Sequence, residues 1–214
     1  ELKDLIMNVG LRFDYFDSNG RILSDSSDPS IFNPIKPENR YHDNNNNGFQ
    51  DPGESNISAS ERLSYWYKKP SPKLMISPRF GASFPFSDIG VIHFSYGHFF
   101  QVPRFELLYH NSDFDLNQGT GNVGIVGNAD LDPEKTVSYE LGFKYQLNES
   151  SSIDATVYFR DIRSLTGTRT EEISIFGGAS TYSKYENSDF AFVKGLVLSM
   201  NYFDFKGFSV NMNY

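Results

Sequence analysis

The sequence predicts an all-β protein, an antiparallel transmembrane β-barrel segment of about seven strands with long extracellular loops and short periplasmic turns. Three observations lead to this class. Apolar and polar residues alternate with a period of two in nearly every candidate strand. Long and short connections alternate strictly along the chain, a regularity that soluble β-sandwiches lack. Tyr, Phe and Trp make up 16% of the 214 residues, which is typical of strands anchored at a membrane interface.

The first three predicted strands lie in the first half of the chain. The alternation begins in residues 5–16 and returns at about residues 74–86 and 91–101. The segment 17–73 between the first two strands is rich in Asp, Asn, Ser and Pro and has little periodicity, so we expect a long loop. The next connection, at residues 87–90, is a tight turn.

The remaining strands follow the same plan. We expect them at residues 136–147, 152–163, 182–204 and 208–214, with short turns at 148–151 and at Lys206-Gly207 and with long loops at 102–133 and 164–181. Helical periodicity is absent throughout the chain, so no helix is predicted.

The strand at residues 136–147 has the clearest alternation of the chain. Six apolar residues from Val137 to Leu147 point one way, and six small or polar residues from Thr136 to Gln146 point the other. The polar face carries Glu140 and Lys144, which a packed core would tolerate only as a satisfied pair. A strand with one apolar and one polar face fits a membrane barrel, which has lipid outside and water inside. It also fits a half-exposed strand of a soluble sandwich.

The residues that lead into this strand carry a resemblance to a known family. Residues 127–147 resemble the GNP-x-L-x-PE-x-[ST]-x-x-Y-E-x-G segment of TonB-dependent outer-membrane receptors. Ala129 stands where the family usually has Pro, and the matching positions are Gly127, Asn128, Leu131, Pro133, Glu134, Thr136, Tyr139, Glu140 and Gly142. Further similar stretches occur, in the order expected for the barrel, at residues 8–17, 77–85, 93–109 and 191–202.

The resemblance implies a function and a set of partners. It implies energised uptake of a scarce nutrient, such as an iron–siderophore complex, a cobalamin or a glycan. Plugged barrel transporters have about 22 strands, so about seven strands make a partial barrel, in which the plug domain has no counterpart. The expected partners are the outer-membrane lipid, the nutrient ligand, and the TonB energy-coupling complex through the missing plug region. The segments 17–73, 102–133 and 164–181 are then expected to be extracellular.

Composition excludes several other classes. The chain has no cysteine, which excludes a disulfide framework and thiolate metal sites. The net charge of −8 and the pI of about 5.0 argue against nucleic acid as a partner. No apolar run reaches ~18 residues, which excludes a transmembrane helix. No nucleophile elbow, catalytic carboxylate pair or zinc motif is present in the sequence, so an outer-membrane enzyme is not expected.

One loop motif predicts a metal site. Residues 43–54 fit the calcium-loop pattern D-x-[DN]-x-[DN]-G-x5-E in full. In this pattern Gly48 permits the sharp turn, and hard oxygen ligands suit Ca²⁺. The expected ligands are Asp43, Asn45, Asn47, the carbonyl of Phe49, Asp51 and Glu54. The alternative is a solvated Asn-rich turn. The calcium motif also leaves a second function open, a soluble extracellular calcium-binding β-sandwich used in adhesion.

Three weaker signals remain. Residues 119–124 satisfy the GxGxxG pattern, but no strand feeds it and no helix follows, so we expect a flexible loop. His93 and His98 are expected on opposite faces of one strand and do not form a ligand pair. The segment 102–133 mixes acidic and aromatic residues, which is consistent with a substrate vestibule or with loop packing and solvated charge.

Overall fold

The computed structural model describes residues 5–116, 121–168, 172–203 and 206–214. In chain order its strands are β1 (Ile6–Phe16), β2 (Ile22–Leu23), β3 (Tyr67–Lys68), β4 (Lys73–Ser87), β5 (Gly90–Gln101), β6 (Gly121–Val126), β7 (Glu134–Asn148), β8 (Ser151–Thr168), β9 (Ile173–Ile175), β10 (Ser180–Phe203) and β11 (Ser209–Asn213). Its α-helices are α1 (Pro37–Arg40), α2 (Ala59–Trp66) and α3 (Phe105–Tyr109).

Seven of these strands form one antiparallel sheet in chain order, β1-β4-β5-β7-β8-β10-β11. The predicted all-β class, strand number and antiparallel order are confirmed. The short β6 and β9 pair with the first residues of β10, β6 in parallel. Within the described residues the hydrogen-bonded order does not return from β11 to β1, so this part of the barrel wall is open.

The sheet exposes its apolar face. Leu141, which pairs with Phe94 and Val157, is 50% exposed, whereas Ser138 on the opposite face is buried. A soluble sheet buries its apolar face, and a sandwich needs a second sheet to cover it. The described residues contain no second sheet on this face, so the β-sandwich alternative is wrong. We call the face with Leu141 the outer face and the face with Ser138 the lumenal face, following the arrangement of membrane barrels.

Aromatic rings form two rows on the outer face. One row joins Tyr96 to Tyr139, with ring centroids 5.1 Å apart, and continues through Phe159 to Phe192. The other lies near the short turns, where Phe143 stacks on Phe86 at 5.6 Å. Paired aromatic girdles mark the two interfaces of a membrane barrel. The aliphatic residues between the rows, such as Leu141 and Val157, therefore lie at the level of the hydrocarbon core.

The long connections contain more regular structure than the sequence predicted. The prediction of no helix is wrong for α2, in which Ser58 caps the first turn by accepting a hydrogen bond from the Glu61 amide at 3.2 Å. Strand β8 continues to Thr168 because its extra residues pair with β10 as far as Tyr185, which shortens the expected loop 164–181. Among the described residues no helix is long and apolar enough to cross a membrane.

The glycine-rich stretch at 119–124 also differs from the prediction. Gly119 and Thr120 lie outside the described residues, but Gly121 begins strand β6, which pairs with β10. The flexible-loop prediction is therefore wrong for its described part. No helix follows β6, in agreement with the rejection of a dinucleotide site.

Candidate functional site

All long connections emerge from the same end of the sheet and pack on one another. We call them the loop cap, defined as the described residues of the segments 17–72, 102–133 and 172–179. Its core joins all three segments, since Leu23 and Tyr67 of the first pack with side chains of the others and of β10. The buried members of this core are Phe114, Val126, Ile175 and Tyr182. Burial of apolar surface shared between loops makes the cap one folded unit.

The first segment of the cap is organised by two buried charges. Arg62 is 7% exposed, and its guanidinium donates to the carbonyls of Ile31 at 2.7 Å and Ile57 at 2.6 Å. Asp28 is 1% exposed, and its carboxylate accepts from the amide of Ile35 at 2.8 Å and from the Asn39 side chain at 2.8 Å. Hydrogen bonds to ionised groups are stronger than neutral ones, and a buried charge without them is costly. These contacts fix the path of the segment.

Polar contacts also tie the segments together. Arg21 pairs with Asp113 at 2.6 Å and lies 4.3 Å above the ring of Tyr67. The Tyr182 hydroxyl donates to the Ser26 carbonyl at 2.7 Å. These bonds connect the first segment both to the second segment and to β10.

Two acidic residues of the segment 102–133 form ion pairs with a lysine at the start of β4. Lys73 Nζ lies 3.0 Å from Asp130 Oδ1 and 2.9 Å from Asp132 Oδ1. Leu108 and Phe114 from the same segment are buried. Most of this acidic and aromatic segment therefore holds the cap together, as the loop-packing alternative expected.

Part of the segment 102–133 is still open to solvent. Phe105 is 67% exposed and Tyr109 is 38% exposed. Tyr109 also lines a depression of about 330 Å³, together with Arg21, Leu108 and Gly127. An exposed aromatic ring and the cation of Arg21 thus line one concave surface of the cap, and the ring of Phe105 lies 6.0 Å from that of Tyr109.

The family-like residues before β7 have a structural role. The Gly127 amide donates to the His110 carbonyl at 2.7 Å, and a Cβ on Gly127 would lie 2.6 Å from the His110 nitrogen. Asn128 donates from its side chain to the Tyr185 carbonyl at 2.9 Å. Leu131 is 1% exposed. These residues hold the end of the second segment against β10 and against α3 of the same segment.

The predicted calcium segment forms a closed loop. Its ends are held by the bridge between Tyr41 and Asn56, and the Tyr41 hydroxyl donates to the Gly48 carbonyl at 2.6 Å. Gly48 has a φ of 79° and Asn46 a φ of 56°, both in the left-handed region. Gly and Asn are the residues that adopt this region most readily, so the Asn-rich sequence favours the turn.

Hydrogen bonds link the predicted ligand side chains. Asp43 accepts from the amides of Asn47 at 3.1 Å and Gly48 at 2.7 Å. Asp51 accepts from the side-chain amides of Asn45 at 2.7 Å and Asn47 at 2.8 Å.

The closing residue of the motif joins the two halves of this loop. Glu54 accepts from the amide of Asn44 at 2.9 Å and from the amide of Asp51 at 2.9 Å. Phe49 donates its amide to Asn47, and its ring is 74% exposed. In the described residues no three His, Asp or Glu side chains converge as a metal cage. A cation here would need the Asn and carbonyl oxygens as well as the carboxylates, and those are ligands that Ca²⁺ accepts.

The lumenal face carries an ion pair between two strands of the sheet. Glu140 lies 3.5 Å from Arg160 Nη2 and accepts from the Ser138 hydroxyl at 3.4 Å. The partner of Glu140 is thus Arg160 and not Lys144. His93 lies on this face beside Gly142, whereas His98 lies on the outer face and is 2.6 Å from the Tyr96 hydroxyl. The prediction that the two histidines lie on opposite faces is confirmed.

The fold and the cap define the class of the protein as a segment of a membrane β-barrel whose loops are folded over one end. The family described as TonB dependent receptor-like, beta-barrel matches residues 1–214, so the chain belongs to this family. Its members are transport receptors. The resemblance predicted from residues 127–147 is confirmed.

Three of the solved structures with a similar fold are described as siderophore or ferric enterobactin receptors. A variant of the ferric enterobactin receptor PfeA from Pseudomonas aeruginosa is 20% identical, with a TM-score of 0.54 over 66% of this chain and 22% of that chain. The siderophore receptor PirA from Acinetobacter baumannii is 19% identical, with a TM-score of 0.52 over 69% of this chain and 23% of that chain. PirA from Pseudomonas aeruginosa is 20% identical, with a TM-score of 0.50 over 65% and 27%.

This chain therefore spans about a quarter of the length of these receptors or less. At this identity the likeness concerns the fold alone. Comparison of the sequence with curated proteins gives no match.

Proposed function

We propose that this chain forms part of the barrel wall and of the ligand-capturing loops of an outer-membrane receptor for TonB-energised uptake, and that its nutrient is an iron–siderophore complex. The observation that carries the proposal is the combination of an exposed apolar outer face, a charged lumenal face and a folded cap at one end. A barrel wall in lipid needs an apolar outer face and a polar lumenal face, and capture of a ligand before transport needs a folded cap.

The choice of siderophore among the three nutrient classes rests on two supports. The similar structures named above are siderophore receptors, and the cap offers exposed aromatic rings beside Arg21. A cation and ring faces suit an anionic ligand that carries aromatic groups, and this is the siderophore chemistry that we propose. In this proposal the cap lies outside the cell and the short turns face the periplasm.

Uptake by cells tests the proposal. A strain that lacks the full-length receptor is complemented with the wild-type gene and supplied with ⁵⁵Fe-labelled siderophores, labelled cobalamin or labelled oligosaccharides. We expect uptake of at least one ferric siderophore, and loss of that uptake in a strain without TonB. Uptake of cobalamin or glycan alone would contradict the nutrient class, and uptake that persists without TonB would contradict the mechanism.

We also propose that residues 43–54 bind Ca²⁺ and that the ion orders this part of the cap. The ligand set is the one predicted above: Asp43, Asn45, Asn47, the Phe49 carbonyl, Asp51 and Glu54. The closed base of the loop and the hydrogen bonds that link these side chains support the proposal. An extracellular site works with weak affinity, with a dissociation constant on the order of 10⁻⁴–10⁻³ M.

Calorimetric titration of the full-length receptor with Ca²⁺ tests this site. Glu54→Gln removes one of the two oxygens expected to close the coordination shell and should weaken binding at least tenfold. Asn44→Ala is the matched control, because only the backbone amide of Asn44 contacts Glu54. Binding that Glu54→Gln leaves unchanged, or the absence of Ca²⁺ binding in the wild type, would contradict the proposal.

A further inference from the structure

Charged side chains cluster on the outer face beyond the aromatic row of Tyr139 and Phe159, at which level Lys194 is a further charged residue on this face. We call this group the rim cluster: Lys135 on β7, Asp161 and Arg163 on β8, and Phe190 and Phe192 on β10. Its position follows from the register, because Val137 on the outer face pairs with Asp161, and Lys135 pairs with Arg163. The rim cluster lies on the side of the aromatic row that faces the loop cap.

The two cations of the rim cluster are directly opposite each other on neighbouring strands. Like charges in this arrangement destabilise a sheet, and the repulsion grows next to a low-dielectric medium. Asp161 neutralises one of them, since Arg163 Nε lies 2.6 Å from Asp161 Oδ1 and Arg163 Nη2 donates to Asp161 Oδ2 at 3.1 Å. The short Nε contact is an ion pair that lacks hydrogen-bond alignment. The rim cluster keeps one excess positive charge.

Aromatic rings hold both cations in place. The Arg163 guanidinium lies 5.1 Å from the ring centroid of Phe192 and 5.3 Å from that of Phe190. Lys135 Nζ lies 5.9 Å from the ring of Phe100. Ring faces attract cations and limit their freedom. The Arg163 side chain is 50% exposed, so donors remain available to an external group.

The level of the rim cluster corresponds to the headgroups of a bilayer. Lys135 is four residues along β7 from Tyr139, the member of the aromatic row on this strand. At ~3.3 Å per residue and a strand tilt of ~40°, Lys135 lies about 10 Å further from the bilayer centre than Tyr139. Tyr and Trp girdles sit at the headgroup level, and lipid phosphates lie just beyond them.

We propose that the rim cluster binds the phosphate of a lipid headgroup in the outer leaflet, with Lys135 and Arg163 sharing one phosphate. An anion between the two cations removes their repulsion, and the planar guanidinium donates two parallel hydrogen bonds to phosphate oxygens. The lipid source follows from the surroundings, since acyl chains pack on the apolar residues next to the cluster. This inference rests on the proposed function, because it requires the outer face to lie in a membrane.

Native mass spectrometry of the full-length receptor in a neutral detergent tests the proposal. The probes are dioctanoyl phosphatidic acid, dioctanoylglycerol without phosphate, and inorganic phosphate. We expect the phosphatidic acid to bind, the other two to bind at least tenfold more weakly, and Lys135→Gln combined with Arg163→Gln to weaken lipid binding at least tenfold. Asp161→Asn should strengthen binding, because it removes the competing carboxylate.

The matched control is Arg160→Gln, which removes a cation from the same strand on the lumenal face. It should leave lipid binding unchanged. Equal binding by the double variant and the wild type, equal loss in Arg160→Gln, or equally tight binding of inorganic phosphate would overturn the proposal. Heat-modifiable migration in gel electrophoresis is recorded on the same samples. If the receptor migrates as a heat-modifiable barrel but the substitutions do not change lipid binding, only the proposal for the rim cluster is contradicted. If no heat-modifiable barrel is found, the proposed function and this inference are contradicted together.

Discussion

At the scale of single residues, the structure explains the family-like positions by close contact. Gly127 lies against the backbone of α3, and its φ is not in the left-handed region, so the requirement for glycine is spatial. Asn128 and Leu131 then fasten the same segment to β10 and to the interior of the cap. Residues that carry the family resemblance in the sequence thus support the cap.

Gly127→Ala should loosen the cap. The added Cβ would lie 2.6 Å from the His110 nitrogen and 2.8 Å from the Leu108 carbonyl oxygen, and backbone cannot move aside as a side chain can. Overpacking of this kind costs about 1–3 kcal/mol. Limited proteolysis of the full-length receptor should cut the variant faster within the cap. The control is Gly10→Ala, where nothing lies within 4 Å of the added atom. Equal proteolysis of both variants and the wild type would contradict this role.

At the scale of elements, the strands could be predicted from the sequence. Successive side chains of a strand point alternately to its two faces, and the apolar and polar residues of this sequence alternate with the same period of two. Each strand of the wall has lipid-type residues on one side and polar residues on the other, so local alternation alone located all seven. The cap could not be predicted in this way. Strand β6 pairs with the edge of β10, which is distant in the sequence. The guanidinium of Arg62 donates to carbonyls in three separate parts of the first segment.

One missed element did have a readable signal. Ser58 and Glu61 stand three residues apart before Arg62 and Trp66, and both of these are buried. This is the spacing of a helix capping box followed by one buried face. The helix is eight residues long, too short for a periodicity search to separate it from the surrounding loop.

A charge on the outer face of β8 should be costly. Val157→Lys places an ammonium at the level of the hydrocarbon core and should lower the stability of the barrel by about 2–4 kcal/mol. Thr156→Lys, one residue away on the lumenal face, should cost much less because its side chain reaches water. Folding of the full-length receptor into bilayers at increasing urea concentration measures both. Equal tolerance of the two substitutions would rule out the assignment of the faces.

The contact between β6 and β10 should depend on pH. Glu172 accepts hydrogen bonds from the side chains of Asn122 at 2.6 Å and of Thr181, and these bonds hold the pKa of Glu172 below its usual value of 4.5. A carboxylate with a lowered folded-state pKa contributes stability above its unfolded pKa and loses that contribution as the pH falls through the folded value.

Wild type and Glu172→Gln should therefore differ in melting temperature near pH 7, and the difference should shrink below pH ~4. Comparison of the two melting temperatures across this range, in the same detergent, provides the measurement. A difference that stays constant with pH would show that the ionised form of Glu172 contributes nothing.

At the scale of the whole molecule, two environments organise the chain. The wall separates lipid from a polar lumen, and the cap forms a separate folded unit with its own apolar core at one end. A buried Asp28 and a buried Arg62, each satisfied by several hydrogen bonds, keep the longest segment in one conformation. A rigid cap loses less conformational entropy on binding a ligand than mobile loops do.

The central claim is that the outer face lies in lipid while the lumenal face lies in water, and site-directed spin labelling tests it most directly. Single cysteines are placed at successive positions of β7 and β8, including Leu141, Thr156 and Val157, in a cysteine-free full-length receptor reconstituted in bilayers. We predict collision rates that alternate with a period of two, with oxygen favoured at Leu141 and Val157 and a water-soluble nickel chelate favoured at Thr156. Collision rates without this alternation, or equal access of the nickel chelate to both faces, would contradict the account.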